Sequence, residues 1–434
     1  MTVKITGGIP LFGEVTPVPN KNAVLSAIPA AILSSSPITY TNLPDTTDVN
    51  KLLQILKLLG VSVVKTAEGT VLDASKINSC RVDKELGELI RSSIMLVGPL
   101  LARFGRAEVP IPGGCVLGQR SIHAHVDVFT KAGCTVEFVD DYVIFATPKK
   151  LEKDYDIWQF EASVTATENF VMYAAGVGAK FTLTDAACEP HVTQLLELLS
   201  SMGAEISGIG SNKVTIVGKQ ALGDASFTAL PDQIDIAGII VAAGVTRGKI
   251  KILGGNIPWI IGGLIQTFKK FNIKFSTDNA DLIVDATDGL KVDPKNSGFP
   301  LASDGLPKFI PRPWPGFPAD ALPLIVPLAC KTPGQMLVQN WIYESGLDFI
   351  REINAIGGQV FMCDPQRVIV TGPVNFTGGR VNPPGVIQAH VAVFLAALCD
   401  PVETIIEGAE TLSRRYVDYF EVYKKLGAKI EVLA

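Results

Sequence analysis

The chain changes repeatedly from a helical to an extended hydrophobic period. Behind Pro190, a favoured first-turn residue, apolar side chains recur on one helix face at Val192, Leu195, Leu196, Leu199 and Met202. A similar helical stripe closes the chain at Tyr416, Tyr419, Phe420, Tyr423 and Leu426. After such helices the period falls to two, as in Val136 and Phe138, and a turn follows at Asp140–Asp141 or Asp364–Pro365. The pattern predicts a unit of helix, strand, turn and strand.

A residue that tolerates the left-handed conformation marks the end of each predicted helix. Glycine takes five of these places and asparagine one: Gly60, Gly133, Gly203, Asn272, Gly357 and Gly427. The anchors recur at intervals of roughly 70 residues, with one longer interval before Gly357. That interval contains residues 297–318, whose prolines predict an ordered surface loop rather than a core element.

Six repeats in 434 residues predict an α/β protein of two domains with three repeats each. A chain of this length exceeds one ordinary core, and two domains of roughly 200 residues are expected. One helix-strand-strand unit cannot bury its apolar face alone, so the three units of a domain must pack around a shared core.

Composition excludes several classes of partner. The formal net charge is -5, which provides no general field for nucleic acid, so any anion site must be local. No apolar run approaches the roughly 20 residues of a membrane span, and the N-terminus lacks the features of a signal peptide, so we expect a cytoplasmic protein. Seven scattered cysteines without a CxxC pair, and four histidines without an HExxH motif, predict neither disulfides nor a metal site.

The segment from Pro110 to Arg120 places a thiol, Cys115, beside Gly113 and Gly114. A lone cysteine is usually a small apolar filler. Here the glycine and proline flanks favour exposure, and a nearby arginine lowers the pKa of a thiol. We therefore interpret Cys115 as a reactive thiol on a mobile loop.

Cations occur at the predicted starts of two helices, where they oppose the helix dipole. Lys21 lies between Asn20 and Asn22, either of which is a plausible cap for a helix over 23–33. Arg414 and Arg415 follow Ser413 at the predicted start of the last helix. A solvated side chain explains each cation alone, but an ammonium group beside free backbone N–H groups also makes a phosphate site.

Asp320 follows the proline-rich segment and precedes an apolar run. A helix cap is a sufficient structural explanation for this carboxylate, and a general base is the functional alternative. His123 and His125 are given no role in proton transfer.

These residues together resemble the enolpyruvyl transferase family over essentially the whole chain. The matching segments are Lys21–Ala23, Arg91–Ile94 with 98–105, the cysteine loop through Arg120, Ala166–Asn169, Leu230–Asp232 and Phe317–Asp320. The resemblance implies two inside-out α/β barrel-like domains, each of three repeats. It places residues 22–230 in the first domain and residues 1–21 with 231–434 in the second, and it places the active site in the cleft between them, with the Cys115 loop as its lid.

The implied activity is transfer of the enolpyruvyl group of phosphoenolpyruvate to the 3-hydroxyl of UDP-N-acetylglucosamine with release of phosphate, the first committed step of peptidoglycan synthesis. It requires no cofactor or metal, no nucleic acid and no membrane, and we expect a monomer. By the same resemblance Cys115 protonates the enol carbon, Asp320 takes the hydroxyl proton, and Lys21, Arg120 and Arg414 surround the phosphate. The implied acceptor contacts are Asn22, Arg91, Arg120, Ser121, Ile122, His123, Ala124, Ser163, Val164, Asp320 and Ile342.

The chain departs from the family pattern at several positions. Two arginines that ordinarily hold the carboxylate of phosphoenolpyruvate correspond to Gly346 and Gln388, and Val386 replaces an aspartate. Near the acceptor, Thr165 replaces a glycine and Glu161 replaces a basic or small residue. In the second domain, Gln233 follows Leu230–Asp232 where arginine is usual.

Three interpretations of these departures stay open: the same cell-wall enzyme, a paralogue with another nucleotide acceptor or a modified donor, and a catalytically weak binding homologue. A working transferase is favoured because the implied catalytic set survives together. Two relatives by fold are less favoured. 5-Enolpyruvylshikimate-3-phosphate synthase lacks the cysteine loop. RNA 3'-phosphate cyclase is disfavoured because this chain has a net negative charge, whereas an enzyme that binds RNA needs a basic surface.

Overall fold

The computed structural model describes residues 1–111, 121–293, 298–302 and 305–433. They divide into two compact units. The first unit contains residues 19–111 and 121–230, and the second contains residues 1–18 with the described chain from Pro231 onward. Each unit is an α/β structure built from the same kind of repeat.

The helices of the described chain are α1 Lys21–Ala30, α2 Thr47–Leu58, α3 Lys84–Leu89, α4 Val97–Phe104, α5 His123–Lys131, α6 Val164–Gly176, α7 Pro190–Ser201, α8 Gln233–Thr246, α9 Pro258–Lys269, α10 Leu322–Cys330, α11 Ile350–Ala355, α12 Ile387–Ala397 and α13 Tyr419–Lys425. Short 3-10 helices cover Ala31–Leu33, Arg91–Leu96, Ala319–Ala321 and Ala409–Arg414.

The strands are β1 Thr2–Thr6, β2 Phe12–Val15, β3 Ile38–Tyr40, β4 Ser62–Thr66, β5 Gly69–Asp73, β6 Arg106–Pro110, β7 Thr135–Val139, β8 Tyr142–Ala146, β9 Asp154–Trp158, β10 Lys180–Thr184, β11 Glu205–Ser207, β12 Lys213–Val217, β13 Ala225–Phe227, β14 Lys249–Ile252, β15 Lys274–Asp278, β16 Asp281–Asp285, β17 Lys308–Phe309, β18 Gly334–Gln339, β19 Val360–Asp364, β20 Arg367–Gly372, β21 Gly379–Val381, β22 Glu403–Ile406 and β23 Lys429–Leu433.

Each unit contains three small sheets among its described residues. In the first unit the strand orders are β13-β3-β5-β4, β6-β8-β7 and β11-β12-β10-β9. In the second they are β15-β16-β14-β2, β17-β18-β20-β19 and β21-β22-β1-β23. The N-terminal strand β1 pairs antiparallel with both β22 and β23. The prediction of three repeats in each half of the chain is confirmed.

The cores are formed by apolar helices. Every residue of α8 and α10 is buried, as is nearly all of α6 and α12, and such helices carry hydrophobic residues on all sides. The helices α8, α10 and α12 pack against one another in the second unit, and α6 packs against α1 and α4 in the first. The sheets lie around these helices, which is the inside-out arrangement that was expected.

The six predicted anchors all adopt the left-handed conformation. The five glycines have φ between 82° and 109°, and Asn272 has φ 69°. Each anchor follows a helix and precedes a strand or a strand-forming segment, so the helix can end by turning the chain sharply. The predicted turn at Asp140–Asp141 connects β7 and β8, and Asp140 is itself left-handed with φ 52°.

The prediction of where the last helix starts was wrong. Residues Ala409–Arg414 form a 3-10 helix, and α13 begins only at Tyr419. Tyr416 therefore lies before the helix, although it is buried together with Tyr419 and Tyr423. The tyrosines of the predicted stripe are therefore buried together although they do not lie on one continuous helix.

The proline-rich segment is also different from the surface loop that was predicted. It contributes the edge strand β17, which pairs parallel with β18, and it buries Phe299, Phe309 and Phe317. The ring centroids of Phe309 and Phe317 are 4.9 Å apart, and Phe317 also contacts Phe268 of α9 at 5.8 Å. Aromatic burial therefore ties this segment to the core despite its prolines.

Replacing Phe309 by alanine should therefore lower the free energy of unfolding by about 3–5 kcal/mol, the usual effect of truncating a core phenylalanine. Phe361→Ala is the matched control, because Phe361 in β19 is 69% exposed, and it should cost less than about 1 kcal/mol. Urea unfolding of both variants gives the comparison. Equal losses of stability would mean that the proline-rich segment does not belong to the core.

Candidate active site

Lys21 occupies the first position of α1, where Asn20 caps the helix. Asn20 Oδ1 accepts hydrogen bonds from the backbone N–H groups of Asn22 at 3.0 Å and Ala23 at 3.1 Å. The Lys21 ammonium forms a 2.7 Å ion pair with Asp48 of α2, and the two side chains are only 9% and 7% exposed. Lys21 is therefore a buried, paired charge held at a helix start, and not a solvated surface lysine.

His125, in the first turn of α5, belongs to a buried hydrogen-bond network. Asn169 Oδ1 accepts from Gly98 N at 2.6 Å, and this contact fixes which end of the amide is the NH2 group. Asn169 Nδ2 donates to Ile94 O at 2.8 Å and lies 3.0 Å from His125 Nδ1, so that ring nitrogen is an acceptor. The other nitrogen, Nε2, then carries the proton and donates to Thr165 Oγ1 at 3.1 Å.

The electrostatics of this network keep His125 neutral. Burial is the main reason that the pKa of His125 is lowered to about 3, and the positive charge of Arg91 lowers it further. The Thr165 hydroxyl, at the position where the family pattern has glycine, thus serves as the partner of a neutral imidazole. His123, two residues earlier, is exposed and starts α5.

This network brings three helix starts together in the first unit. Arg91 begins the 3-10 helix, Ser121 Oγ accepts from His123 N at 2.9 Å just before α5, and Ser163 is the N-cap of α6. Three more implied acceptor contacts lie on these segments, Ile122, Ala124 and Val164, and Asn22 lies in the first turn of α1. Helix starts offer unpaired backbone N–H groups and partial positive charge, which suits an anionic ligand. Cys115 and Arg120 lie outside the described residues.

In the second unit, Asp320 lies in the 3-10 helix that precedes α10. The interpretation of Asp320 as a cap was wrong, because neither this 3-10 helix nor α10 has a side-chain cap hydrogen bond. Instead, the Tyr343 hydroxyl donates to Asp320 Oδ1 at 2.9 Å. Tyr343 orients the carboxylate and was not singled out from the sequence.

Asp320 opens into a cavity of the second unit that encloses about 410 Å³ of empty space, including its mouth. Asp320 is the only charged side chain among the described residues that line it, and the remainder are apolar or neutral: Ala319, Leu322, Pro323, Asn340, Tyr343, Ser345, Gly346, Phe349, Pro384, Val386, Gln388 and Ala389. The positions where the family pattern has arginines, Gly346 and Gln388, thus both face this cavity.

Gly346 is held in place by the side chain of Asn340. Asn340 Nδ2 donates to Tyr343 O at 2.6 Å, and its Oδ1 faces the N–H groups of Ile342 and Tyr343 at 3.3 Å. A Cβ atom on Gly346 would lie 2.2 Å from Asn340 Nδ2. A side chain at 346 would require the Asn340 amide to move away from this turn. Ile342, the implied acceptor contact in the same turn, is 40% exposed.

Arg414 is the last residue of the 3-10 helix Ala409–Arg414, so the helix-start argument for a phosphate site at this arginine was wrong. The next residue, Arg415, is 3% exposed, and its Nε lies 3.7 Å from Asp232 Oδ2. Burial alone would lower the pKa of Arg415, but the negative charges of Asp232 and Asp320 contribute to a net rise. Asp232 also caps α8, since its Oδ1 accepts from Ile234 N at 2.8 Å.

Within the described ranges, no group of three or more His, Cys, Asp or Glu side chains is arranged to hold a metal ion. Across the same residues, none of the helices combines the length and the apolar character that crossing a membrane requires.

The sequence matches the family model for EPSP synthase (3-phosphoshikimate 1-carboxyvinyltransferase) over residues 5–423. A UDP-N-acetylglucosamine 1-carboxyvinyltransferase of Treponema denticola is 36% identical over 429 residues, which are 99% of this chain and 98% of that protein. The protein of the same name in Bradyrhizobium diazoefficiens is 34% identical over 428 residues, covering 98% of this chain and 97% of the relative.

Two solved structures share the fold. The enolpyruvyl transferase NikO from Streptomyces tendae superimposes with a TM-score of 0.83 at 22% identity, covering 99% of this chain and 98% of that one. EPSP synthase from Acinetobacter baumannii superimposes with a TM-score of 0.72 at 16% identity, covering 99% of both chains.

The low pKa of His125 predicts a pH-dependent stability. Because the folded protein binds a proton at His125 only near pH 3 while an unfolded histidine does so near pH 6.5, stability present above pH 6.5 is lost as the pH falls, by up to about 1.4 kcal/mol per pH unit. His125→Gln should flatten the slope of unfolding free energy between pH 6.5 and 5. His123→Gln, at an exposed position in the same helix, should retain the wild-type slope, and identical slopes in both variants would contradict the assignment.

Proposed function

Because the chain belongs to the EPSP synthase (3-phosphoshikimate 1-carboxyvinyltransferase) family, we propose that it transfers the enolpyruvyl group of phosphoenolpyruvate to the 3-hydroxyl of UDP-N-acetylglucosamine and releases phosphate. The observation that carries this assignment is the 36% identity, over nearly the full length, to a UDP-N-acetylglucosamine 1-carboxyvinyltransferase. The family model alone names a different acceptor, so the choice of acceptor rests on the individual relatives.

In this reaction the acceptor hydroxyl loses its proton to Asp320 as its oxygen bonds to the central carbon of the enol. The methylene carbon gains a proton from the Cys115 thiol, which gives a tetrahedral addition intermediate. Loss of a proton from the new methyl group then expels phosphate and restores the double bond. The Asp320–Tyr343 hydrogen bond supports the role of base, because it leaves the second carboxylate oxygen available to a substrate hydroxyl.

The helix starts of the first unit carry partial positive charge, and lysine and arginine side chains lie at or near them. Both features favour anionic substrates. Lys21, Arg120 and Arg414 are proposed to surround the phosphate of the donor. Arg91, the segment from Ser121 to Ala124, and Ser163 with Val164 are proposed to contact the sugar nucleotide, with Asn22 and Ile342 as further contacts. The hydrogen bonds of His125 support the proposed acceptor contacts, because they connect α5 to α6 close to Arg91. His125 is neutral, so it adds no further charge beside that arginine.

A second candidate is the same transfer to another nucleotide, or from a modified donor. It is favoured by the cavity at Asp320, whose described lining includes no cation for a donor carboxylate. A side chain at Gly346 would displace the Asn340 amide from its hydrogen bonds to the turn, so the small residue at 346 matches the local structure.

The direct test measures phosphate release from phosphoenolpyruvate with UDP-N-acetylglucosamine and with a panel of other nucleotides. We expect turnover with UDP-N-acetylglucosamine, and losses of about 10²–10⁴-fold in kcat for Asp320→Asn and for Cys115→Ser, since each removes a proton-transfer group. Release only with another acceptor would support the second candidate. Ligand binding without release from any acceptor would indicate a binding homologue and contradict both.

Tyr343→Phe should lower kcat by roughly 10-fold with little change in the KM for either substrate, because it removes the hydrogen bond that orients Asp320 and retains the ring that lines the cavity. Tyr142→Phe is the control, since its hydroxyl donates to Val82 O at 3.2 Å in the other unit, and kcat should be unchanged. Steady-state kinetics of both variants make the comparison. A change confined to KM would assign Tyr343 to substrate binding instead.

A further inference from the structure

The second unit contains another cavity, which shares no lining residue with the cavity at Asp320. It lies between the segment that follows β2, helix α8 and helix α13, and it encloses about 310 Å³ including its mouth. We call it the tyrosine cavity; its lining residues are Thr16, Val18, Asp235, Ile239, Tyr416, Asp418, Tyr419, Val422 and Tyr423. None of these residues has a role in the proposed transfer.

Three aromatic rings form one wall of the tyrosine cavity. The ring centroids of Tyr416 and Tyr419 are 4.6 Å apart, and those of Tyr419 and Tyr423 are 5.0 Å apart. The Tyr419 hydroxyl is buried beside Tyr423, and it makes no hydrogen bond of standard geometry with the described residues. A buried hydroxyl without a well-formed hydrogen bond is unfavourable, so a ligand that pairs with it removes that penalty.

The lining of the tyrosine cavity also includes two carboxylates, Asp235 and Asp418. Asp235 is 7% exposed, and its Oδ2 accepts from Val18 N at 2.9 Å. Burial, with the nearby charge of Asp232, raises the pKa of Asp235 to about 7 despite this hydrogen bond. Asp418 adds an exposed carboxylate at the rim.

Arg415, the cation whose charge acts on Asp235, already lies beside another carboxylate. Arg415 lies 3.7 Å from Asp232 and does not line the cavity, and no other Lys or Arg among the described residues lines it. A carboxylate and aromatic faces together favour a cation, because the ring faces attract positive charge and the carboxylate accepts its N–H groups.

We propose that the tyrosine cavity binds a primary alkylammonium group. Asp235 and the Tyr419 hydroxyl accept N–H groups of the ammonium, and the three rings contact its carbon chain. An alkali ion lacks both the N–H donors and the apolar part, and a quaternary ammonium lacks the donors. This proposal does not depend on the transferase activity.

Binding has a structural consequence at the junction of the two units in the chain. Val18 is the last residue of its unit before the chain passes to the other, and Asp235 holds its N–H group. An ammonium beside Asp235 favours the ionised carboxylate and so strengthens this hydrogen bond. The ligand therefore anchors the residue at which the chain leaves the second unit.

The test uses thermal unfolding of the full chain at constant chloride concentration with methylammonium, potassium or tetramethylammonium as the varied cation. We expect a saturable rise in Tm with methylammonium alone. Equal rises with potassium or tetramethylammonium would overturn the assignment, as would the absence of any saturable effect, which would leave only water in the cavity.

Variants then locate the effect. Tyr419→Phe retains the ring and removes a hydroxyl that has no partner, so it should fold normally and bind methylammonium about 10-fold more weakly. Tyr173→Phe is the matched control, because its hydroxyl is also buried without a hydrogen-bond partner but lies in the first unit, and it should respond like the wild type. Asp235→Asn should abolish the response. If that variant does not fold, Tyr419→Phe decides, and a wild-type response in it would contradict the proposal.

Discussion

Burial of apolar helices on all sides is the constraint on which the rest of the structure depends. A helix such as α8 or α10 has no solvent-facing side, and so it cannot offer a polar group along its length without a large desolvation cost. Only its ends are available for chemistry. The candidate residues accordingly occur at helix starts: Lys21 at α1, Ser163 at α6, Asp232 at α8, Asp320 before α10 and Gln388 at α12.

The same constraint explains why the site charges come in pairs. A charge at the start of a buried helix is itself largely buried, and it needs a partner or a hydrogen bond. Lys21 has Asp48, Arg415 has Asp232, and Asp320 has the Tyr343 hydroxyl. Each pair fixes the orientation of a group before a substrate arrives.

The sequence predicted the repeats well because their signals are local. A helical period, a left-handed residue and an alternating strand follow one another within a few tens of residues, and Asn272 was identified as the sixth anchor on its conformational preference alone. Local sequence context also indicated Asn20 as a plausible helix cap and drew attention to Asp320 between the proline-rich segment and an apolar run.

Side-chain partners could not be predicted in this way. His125 and Thr165 are 40 residues apart, and Asp320 and Tyr343 are 23 apart, and no periodicity relates them. The prediction for the proline-rich segment failed for a related reason. Its prolines suggest a loop, but its three phenylalanines are buried in one cluster, and Phe317 of that cluster contacts helix α9. Tertiary packing also overrode local pattern at the C-terminus, where the tyrosine stripe crosses a break before α13.

The cavity at Asp320 shows how one backbone turn determines what a site can recognise. Asn340 satisfies the N–H and C=O groups of its turn with its own amide, and that amide occupies the space that a side chain at position 346 would need. A side chain at 346 would therefore displace this amide, and the backbone groups that the amide pairs would need new partners. Restoring a charge at Gln388 involves no such displacement, so the two departures from the family pattern are not equivalent. Gln388 is a neutral lining residue that a charged side chain could replace directly, whereas position 346 is coupled to the hydrogen bonds of Asn340.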